Sequence, residues 1–410
     1  MTNVSAVIAV AIFLATYSIV ALGKIPIYRI DRAGAALLGG SLMVGSGVLS
    51  LDEAFRAIDL GTVTLLLGMM IVVANLRVSG FFRIVNYWIA TRMRHPFALL
   101  AAVVLATGFL SAFLVNDAIC LVMTPLVLDV VGRLKRNPIP YLLAIAMASN
   151  IGSLATITGN PQNIIIGSLS HIPYATFAAR LTPVAVFGIA VTLALIALVY
   201  RDEFFTGEWL PAMEEPPPRY HRPLAIKTVL VIAAIVGFFF SGAPAAEVAI
   251  IGGAFLLLTR RVRPEKIYRE IDWPLLVMFI GLFVVVRGLE KTVIAPHLAA
   301  LAGGLHLANG AVLGGVTAVL SNIVSNVPAV LLLKPFVPGL PDPHQAWLVV
   351  AMAATLAGNF TLVGSVANLI VAERAKAEGV TLDFRCYFTI GAPLTVITIL
   401  AGLLWLGAGF

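Results

Sequence analysis

The chain has 410 residues, of which 60% are hydrophobic and 11% are charged, and its formal net charge is +7. Soluble globular proteins carry about 25% charged residues, so this composition excludes a soluble enzyme, a nucleic-acid-binding protein and a disordered scaffold. Two cysteines are too few for a disulfide framework or a three-thiolate metal site. The sequence therefore predicts an all-α, polytopic protein of the lipid bilayer that needs no cofactor.

Apolar runs along the chain are suited to spanning a membrane as helices. They are residues 4–22, 33–49, 60–76, 181–200, 224–241, 245–259, 273–286 and 387–406. Lys24, Arg29 and Arg32 follow the first run, which argues against a cleaved signal peptide and puts the N-terminus outside. Alternating from there places most of the 27 Lys and Arg residues on the cytoplasmic side. The chain is thus predicted to lie in the inner membrane with both termini in the periplasm.

Two regions of the first half do not fit simple spans. Residues 96–131 are apolar except around Asn116 and Asp117, and as a helix they would measure about 54 Å, too short for two crossings of a roughly 30 Å core plus a turn. A re-entrant hairpin with these two residues at its tip is favoured over two short, linked spans. Residues 141–170 contain Gly159 among Asn, Thr and Pro, so we expect a helix broken inside a hydrated, protein-lined cavity.

The second half of the sequence repeats the first. The matched positions are Gly39-Gly40 with Gly252-Gly253, Ile58-Asp59 with Ile271-Asp272, Gly68 with Gly281, Asn116 with Asn326, Asn150 with Asn359, Gly159 with Gly364, and Asn163 with Asn368. Asp59 and Asp272 each precede an apolar run and are predicted helix N-caps. The order and spacing hold over nearly the whole chain, which indicates an internal duplication.

The predicted architecture is two inverted repeats, residues 1–200 and 223–410, joined by a cytoplasmic linker at 201–222. Each repeat would contain five spanning helices and one re-entrant hairpin, and this odd number of crossings turns the second copy upside down. The hairpins are predicted at 96–131 and 306–337, and the broken helices at 141–170 and 346–372. Inverted repeats with paired broken helices are typical of secondary transporters whose site lies near the bilayer midplane.

Polar residues of the hairpin tips and the breaks are predicted to converge on one solute site, because polar groups at membrane depth are costly without a wet cavity. The candidates are Asn116, Ser325 and Asn326 at the tips, Asn150, Thr156, Thr158, Gly159, Asn160 and Asn163 in the first break, and Asn359, Thr361, Gly364, Ser365 and Asn368 in the second. The alternative is that these Asn residues only cap the ends of the hairpins. No metal site is predicted.

Asp117 is the one carboxylate predicted to lie deep in the membrane. It would carry the coupling proton or ligate a sodium ion, and the alternative is a structural Asp that caps the second hairpin arm. Cys120 follows the tip by about one helical turn, so its thiol either contacts the solute or packs in the core. No buried Arg is expected to offset the charge of Asp117, which disfavours a dianionic solute.

At these motifs the chain resembles the ion transporter superfamily, which includes arsenite efflux pumps, divalent anion:sodium symporters and sodium/proton antiporters. The resemblance rests on the paired tips, the GNPQN segment at 159–163 and the inverted repeat, and it covers essentially the whole length. The divalent anion symporters carry Ser-Asn-Thr at both tips. This chain has Val115-Asn116-Asp117 and Ser325-Asn326-Val327, and an Asn-Asp tip is more similar to the arsenite pumps.

The resemblance implies that the protein is a transporter and not an enzyme. This transporter would export arsenite or antimonite in exchange for protons by alternating access. In the arsenite family a separate cytoplasmic ATPase can dock on the pump, and members of the superfamily are often homodimers. Two other transport functions stay open, namely a sodium- or proton-coupled permease for a dicarboxylate or sulfate-like anion, and a sodium/proton antiporter. The GNPQN segment also resembles anion permeases of the superfamily. A channel and an intramembrane enzyme are the alternatives from other classes.

Overall fold

A computed structural model describes residues 3–22, 30–207, 209–211, 216–258, 262–294, 304 and 306–407. Within these ranges the ordered elements are all helical and no strand occurs, which confirms the predicted all-α class. Lys24, Arg29, part of the linker at 201–222 and the extreme ends of the chain lie outside the described residues. The predicted sides of the two termini therefore stay predictions.

The helices follow the duplicated order of the sequence. Those of the first half are α1 (Asn3–Leu22), α2 (Arg32–Gly45), α3 (Leu51–Ala57), α4 (Leu60–Ser79), α5 (Phe81–Arg92), α6 (Pro96–Phe113), α7 (Asn116–Arg133), α8 (Pro138–Ser153), α9 (Pro161–Ser170), α10 (Tyr174–Val199) and α11 (Arg201–Phe204). Those of the second half are α12 (Arg222–Phe240), α13 (Ala245–Leu257), α14 (Pro264–Tyr268), α15 (Trp273–Leu289), α16 (Gly310–Val324), α17 (Asn326–Leu333), α18 (Pro343–Ala357), α19 (Val366–Ala377) and α20 (Phe384–Leu406).

Seven of the described helices are long and apolar enough to cross a membrane, namely α1, α4, α6, α10, α12, α15 and α20. The chain is therefore a multi-pass membrane protein. The apolar runs at 33–49 and 245–259 form α2 and α13, of 14 and 13 residues. Each of these helices is about 20 Å long, shorter than a roughly 30 Å hydrocarbon core. One of the seven, α6, is an arm of the predicted re-entrant hairpin at 96–131, and by length it could also cross the membrane. The re-entrant hairpins, the inversion of the repeats and the number of ten crossings therefore stay predictions.

The predicted N-caps are confirmed at equivalent helices of the two halves. Asp59 caps α4, its Oδ1 accepting a hydrogen bond from the backbone N–H of Thr62 at 3.0 Å. Asp272 caps α15 in the same way, accepting from the N–H of Leu275 at 3.0 Å. A carboxylate at this position satisfies one of the amide groups that the first turn of a helix leaves unpaired, so both helices begin at the residue that the sequence indicates.

Two helix crossings join the halves, and each is built on a repeated glycine. α4 packs on α13 where Gly68 meets the backbone of Ala249, and α15 packs on α2 where Gly281 meets the backbone of Ala36. A Cβ on Gly68 would lie 2.5 Å from the carbonyl carbon of Ala249, a distance at which backbone must move. Because each crossing pairs one helix from each half, the two copies are interlocked and share one core.

Gly68→Ala should therefore destabilise the protein strongly, because the added methyl group would overlap the backbone of α13 and could not be relieved by a rotamer change. Overpacking of this kind costs about 1–3 kcal/mol or more. The check is the midpoint of thermal unfolding of the purified protein in detergent. Gly237→Ala in α12 is the control, because its Cβ meets nothing within 4 Å and alanine favours helix. Equal midpoints for the two variants would contradict the tight crossing.

The centre of the molecule is formed by α8 and α18, the first arms of the two broken helices. Nearly every residue of both helices is buried, and the two helices contact each other. A helix that is apolar all round is suited to such a central position, since no face needs to meet lipid or water. The ends of α8 and α18 therefore place the two breaks side by side in the protein interior.

Candidate functional site

The first broken helix consists of α8 and α9, which are separated by a short non-α segment. Asn160 caps α9, its Oδ1 accepting a hydrogen bond from the N–H of Asn163 at 2.8 Å. The Nδ2 of Asn163 donates to the carbonyl oxygens of Ser153 (3.2 Å) and Thr156 (3.0 Å). These carbonyls lie at the end of α8 and in the break, where helical partners are lacking, so Asn163 replaces the lost backbone bonds.

The second broken helix, α18 and α19, is sealed in the same manner. Ser365 caps α19, its Oγ accepting a hydrogen bond from the N–H of Ala367 at 3.3 Å. The Nδ2 of Asn368 donates to the carbonyl oxygens of Gly358 (2.7 Å) and Thr361 (3.2 Å). Each break is thus closed by one amide side chain from the helix that follows it.

The hydrogen-bond pattern corrects one pairing of the repeat. Thr355 Oγ1 donates to Asn163 Oδ1 at 3.5 Å, and Asn150 Nδ2 donates to Asn368 Oδ1 at 2.9 Å. The structural equivalent of Asn150 is therefore Thr355, and the pairing of Asn150 with Asn359 by sequence identity was wrong. Sequence identity did not reveal this equivalence because the two positions carry different residues, Asn150 and Thr355. Both side chains donate to the Oδ1 of the Asn that closes the other break.

Asn150 connects three of the four elements that meet at the breaks. Its Nδ2 donates to Asn359 Oδ1 (2.8 Å) and Asn368 Oδ1 (2.9 Å). Its Oδ1 accepts from Asn116 Nδ2 (3.2 Å) and from Ser365 Oγ (3.1 Å). A carboxamide has two donor hydrogens and two acceptor lone pairs, and all four are used. This buried amide therefore ties the first hairpin tip to both broken helices.

Asn326 connects the second hairpin tip to the breaks. With the carboxamide assigned in the orientation that satisfies both its ends, Nδ2 donates to Ser321 Oγ (2.7 Å) and to the carbonyl oxygens of Ala354 (3.2 Å) and Gly364 (3.1 Å), and Oδ1 accepts from Gln162 Nε2 (3.2 Å). Gln162 belongs to the first repeat, so this last bond crosses between the halves. Neither Asn116 nor Asn326 caps its hairpin helix through its side chain, which excludes capping as their sole role.

Both hairpin tips and both breaks line one small cavity of about 30 Å³. Its polar lining residues are Arg32, Asn116, Asp117, Gln162, Ser325, Asn326 and Ser365. This volume is about the share of one water molecule in liquid, so the cavity has room for about one water. It is the candidate solute site, because it lies where the elements predicted to converge do meet.

Asp117 lines this cavity and also a second one of about 80 Å³. No side chain caps the start of α7, which contradicts the alternative that Asp117 is a structural cap. Within the described part of the chain, the Asp117 carboxylate makes no hydrogen bond or ion pair. A carboxylate without a partner in the protein interior is costly, and such groups are characteristic of functional sites.

Arg32 corrects the expectation that no buried Arg stands near Asp117. It is the first residue of α2 and is half-buried, and its side chain lines the same cavity as Asp117. The sequence placed Arg32 in a cytoplasmic flank because it ends a basic segment before an apolar run. The structure brings the start of α2 against the hairpin tips, so one positive charge and one negative charge share the cavity.

Several predicted site residues lie away from the cavity. Thr156 donates to the carbonyl of Ala112, and Thr158 Oγ1 lies 2.9 Å from Tyr174 Oη, so both hydroxyls join the first break to neighbouring helices. Cys120 Sγ donates to Ser149 Oγ at 2.9 Å and is fully buried behind the tip. In this structure these three side chains therefore stabilise the helices around the cavity and do not line it.

The backbone is tightly constrained at the glycine of each break and at Ser325 in the second tip. A Cβ on Gly159 would overlap the carbonyl oxygen of Ser153, so the return of the chain after α8 requires glycine. At Gly364 a Cβ would lie 2.9 Å from Asn322 Oδ1. Ser325, between α16 and α17, has φ 76° and ψ 161°, a conformation that is costly for residues other than glycine. Such strain is held at the cavity by the surrounding packing.

Sequence reasoning missed two residues besides Arg32. Thr355 Oγ1 accepts from Asn160 Nδ2 (3.3 Å) and from Gln162 Nε2 (3.2 Å), which makes it a junction between the broken helices. Gln162 lies in the GNPQN segment, and its place beside Asn160 and Asn163 was the available signal. Thr355 gave no signal of its own within an apolar helix. No group of three or more His, Cys, Asp or Glu side chains that could hold a metal occurs among the described residues.

The chain is similar to known membrane proteins along nearly its whole length. The family model described as "Citrate transporter" matches residues 17–357. A "46 kDa membrane protein" of Mycobacterium leprae is 32% identical over 98% of this chain and 98% of its own length. The "Silicon efflux transporter LSI3" of Oryza sativa subsp. japonica is 28% identical, with 94% of each chain covered.

The fold is also similar to that of a solved transporter. The crystal structure of the Alcanivorax borkumensis YdaH transporter matches 98% of this chain and 97% of its own chain, with a TM-score of 0.59 and 15% sequence identity. At this identity the likeness concerns the fold alone. It agrees with the all-α membrane architecture built from the helices described above.

Proposed function

Since this chain belongs to the citrate transporter family, and is therefore a multi-pass membrane transporter, we propose that it exports a small uncharged polyhydroxide in exchange for protons. Arsenous acid and its antimony analogue are the solutes of this class that we propose. The site comprises the two hairpin tips and the two breaks, with Asn116, Asn326 and Ser365 contacting the solute and Asp117 carrying the coupling proton.

The observation that carries this proposal is a pair of unused acceptors at the first tip. The buried Oδ1 of Asn116 has no hydrogen-bond partner among the described residues, and neither has the carboxylate of Asp117. A buried acceptor is normally satisfied, so the Oδ1 of Asn116 favours a solute that donates a hydrogen bond, and the half-buried carboxylate of Asp117 lines the same cavity as a second acceptor. Arsenous acid has three hydroxyl groups that can donate to them, whereas the ionised carboxylates of citrate can only accept.

The charge balance of the cavity supports an uncharged solute as well. Arg32 and Asp117 line the same cavity, and their opposite charges offset each other when Asp117 is ionised. The other polar lining groups are amides and hydroxyls, which bind a neutral polyhydroxide without a charge penalty. The cavity of about 30 Å³ must open for any solute, and it must open less for arsenous acid than for a tricarboxylate.

Exchange for a proton follows from competition at Asp117. The ionised carboxylate accepts a hydrogen bond from the solute, and the protonated carboxyl group offers the site one acceptor fewer. Proton binding at Asp117 therefore weakens solute binding, and by linkage solute binding weakens proton binding, whichever side the site faces. Two ligands that exclude each other from one alternating site are carried in opposite directions.

The silicon efflux transporter supports this class of solute. Silicon in neutral water is the uncharged tetrahydroxide, which presents hydroxyl donors as arsenous acid does. The similarity spans 94% of each chain, so it includes the tips and the breaks. We therefore extend the proposal to neutral hydroxides as a class, with arsenite as the solute to be tested first.

The test is arsenite uptake into everted vesicles from a bacterial host that lacks its own pump and expresses this chain. An acidic lumen should drive saturable uptake, and antimonite and silicic acid should compete while citrate and sulfate should not. Uptake that ignores the pH gradient, or that depends on sodium, would contradict the proposal. Counterflow of labelled against unlabelled arsenite excludes a channel, since a channel gives no exchange-driven accumulation.

A coupled anion permease is the second candidate, and Arg32 is the observation that favours it. Protonation of Asp117 would leave the cavity with the uncompensated charge of Arg32, which suits a carboxylate, and the family is described as that of a citrate transporter. Arg32→Gln separates the candidates. If the solute is an anion, Arg32→Gln should lower the rate of citrate uptake at least 100-fold. If the solute is neutral, the same variant should change the rate of arsenite uptake by less than about fivefold.

A further inference from the structure

The described part of the chain contains three cavities that follow one another through shared residues. The solute cavity shares Asp117 and Leu275 with the 80 Å³ cavity, here called the inner cavity. The inner cavity shares Arg77 and Glu270 with a larger cavity of about 570 Å³, here called the outer cavity. The three cavities therefore lie in series, each separated from the next by the residues that they share.

The route runs toward the face that carries the linker. The outer cavity is lined by Arg83 at the start of α5 and by Arg219, Tyr220 and His221 at the end of the linker. The linker is held there, because the N–H of His221 donates to the carbonyl of Ser79 at 2.9 Å. The sequence predicts this face to be cytoplasmic, since the linker and the ends of α4 and α5 carry an excess of Lys and Arg.

An ion pair stands between the inner and the outer cavity. Arg77 Nη1 lies 2.5 Å from a carboxylate oxygen of Glu270, and the two side chains are only 35% and 30% exposed. Arg77 is in the last turn of α4, and Glu270 lies between α14 and α15. The pair therefore bridges a helix of the first repeat and a connection of the second, across the only residues that the two cavities share.

The inner cavity is suited to water and protons. Besides Asp117, Arg77 and Glu270, it is lined by Asp272 and otherwise by apolar side chains such as Met70 and Leu121. Its volume corresponds to two or three water molecules at the roughly 30 Å³ share of liquid water. The carboxylates of Glu270 and Asp272, together with such waters, can pass a proton to Asp117. Arsenous acid is larger than a proton or a water molecule and would need the cavity to widen.

We propose that the inner cavity is the access route of Asp117 to the linker face, and that the Arg77–Glu270 pair opens and closes it. The inference rests on the proposed function for the role of Asp117 and adds the path and the residues that control it. Arg77 and Glu270 are positioning residues, because they touch neither the solute nor the coupling carboxylate.

The test measures entry into the inner cavity without any solute or pH gradient. Ala118, which lines this cavity, is replaced by Cys in a background where Cys120 and Cys386 are Ser. The probe is a trimethylammonium methanethiosulfonate, which does not cross membranes, added to the linker face of everted vesicles. The remaining free thiol is then counted after denaturation. The reagent is larger than the closed cavity, so labelling of the parent should be slow.

Arg77→Ala should raise the labelling rate at least tenfold, because it removes the pair and widens the passage. Arg83→Ala is the matched control, since Arg83 lines only the outer cavity and its removal should leave the rate within twofold. Exchanging the two charges, Arg77→Glu with Glu270→Arg, should restore slow labelling. This exchange separates a gate from a general loosening of the fold.

Equal rates for Arg77→Ala and Arg83→Ala, or fast labelling in the exchanged pair, would overturn the gate. These outcomes are independent of the solute, so they leave arsenite transport untouched. Conversely, absence of arsenite transport with a tenfold effect at Arg77 would refute the proposed solute and keep the gated route.

Discussion

Asp117→Asn should abolish concentrative arsenite transport while preserving exchange. A gradient of one pH unit supplies about 1.4 kcal/mol per proton, which sustains about tenfold accumulation if one proton exchanges for one neutral solute. Asn cannot bind or release a proton, so the variant should bring arsenite only to equal concentrations on both sides. Its amide oxygen still accepts a hydrogen bond from a solute hydroxyl, so binding and reorientation should continue.

The measurement compares two assays on the same proteoliposomes. Uptake under an imposed pH gradient should fall from about tenfold accumulation to none, whereas counterflow of labelled against unlabelled arsenite should stay within a few-fold of the parent. A merely structural Asp117 would lower both activities together. Asp129→Asn is the control on the same helix, because Asp129 is exposed, pairs with Arg133 and lies outside the cavities described here. Accumulation at the parent level in Asp117→Asn would remove this residue from the coupling mechanism.

Asn150→Ala should have the largest effect on folding. The substitution leaves the Oδ1 atoms of Asn359 and Asn368 without a donor, and Asn116 and Ser365 without an acceptor. An unpaired buried group costs about 1–3 kcal/mol in water-soluble proteins, and interhelical bonds in membranes average less. With several groups affected together, we expect the free energy of unfolding to fall by about 2–4 kcal/mol.

The measurement is unfolding of the purified protein in mixed micelles with an increasing fraction of denaturing detergent. Asn75→Ala is the matched control, since Asn75 in α4 is also a fully buried amide. Its Nδ2 donates only to Ile71 of the same helix, and its Oδ1 has no partner among the described residues. Its loss should cost less than about 1 kcal/mol. Equal destabilisation by the two substitutions would mean that the bonds of Asn150 do not hold the breaks together.

The family match confirms the resemblance to the ion transporter superfamily, which had been predicted from short polar motifs at the hairpin tips and the breaks. Asn116, Asp117, Ser325, Asn326 and Ser365 were predicted to meet, and they line one cavity. They could be found because polar residues are conspicuous within apolar segments. The docked ATPase, the homodimer and the solute itself stay predictions that rest on the resemblance.

Arg32 and Thr355 show where sequence reasoning ended. Arg32 is the last charge of a basic flank, and nothing in its neighbours indicates that the start of α2 reaches the hairpin tips. Thr355 lies in an apolar helix, and a lone Thr there is usually satisfied by its own backbone. Its role depends on Asn160 and Gln162, which are nearly two hundred residues away along the chain.

By itself the sequence determined the all-α membrane class and the N-caps of α4 and α15, and it indicated the breaks at Gly159 and Gly364, whereas the inverted repeats stay a prediction. These features are local, because hydropathy, capping side chains and helix-breaking residues act within a few turns of the chain. The tertiary structure decided which helices cross between the halves, which charge accompanies Asp117, and which ion pair lies between the cavity beside Asp117 and the linker face. These depend on distances between residues far apart in the chain, and such distances follow only from how the two copies interlock.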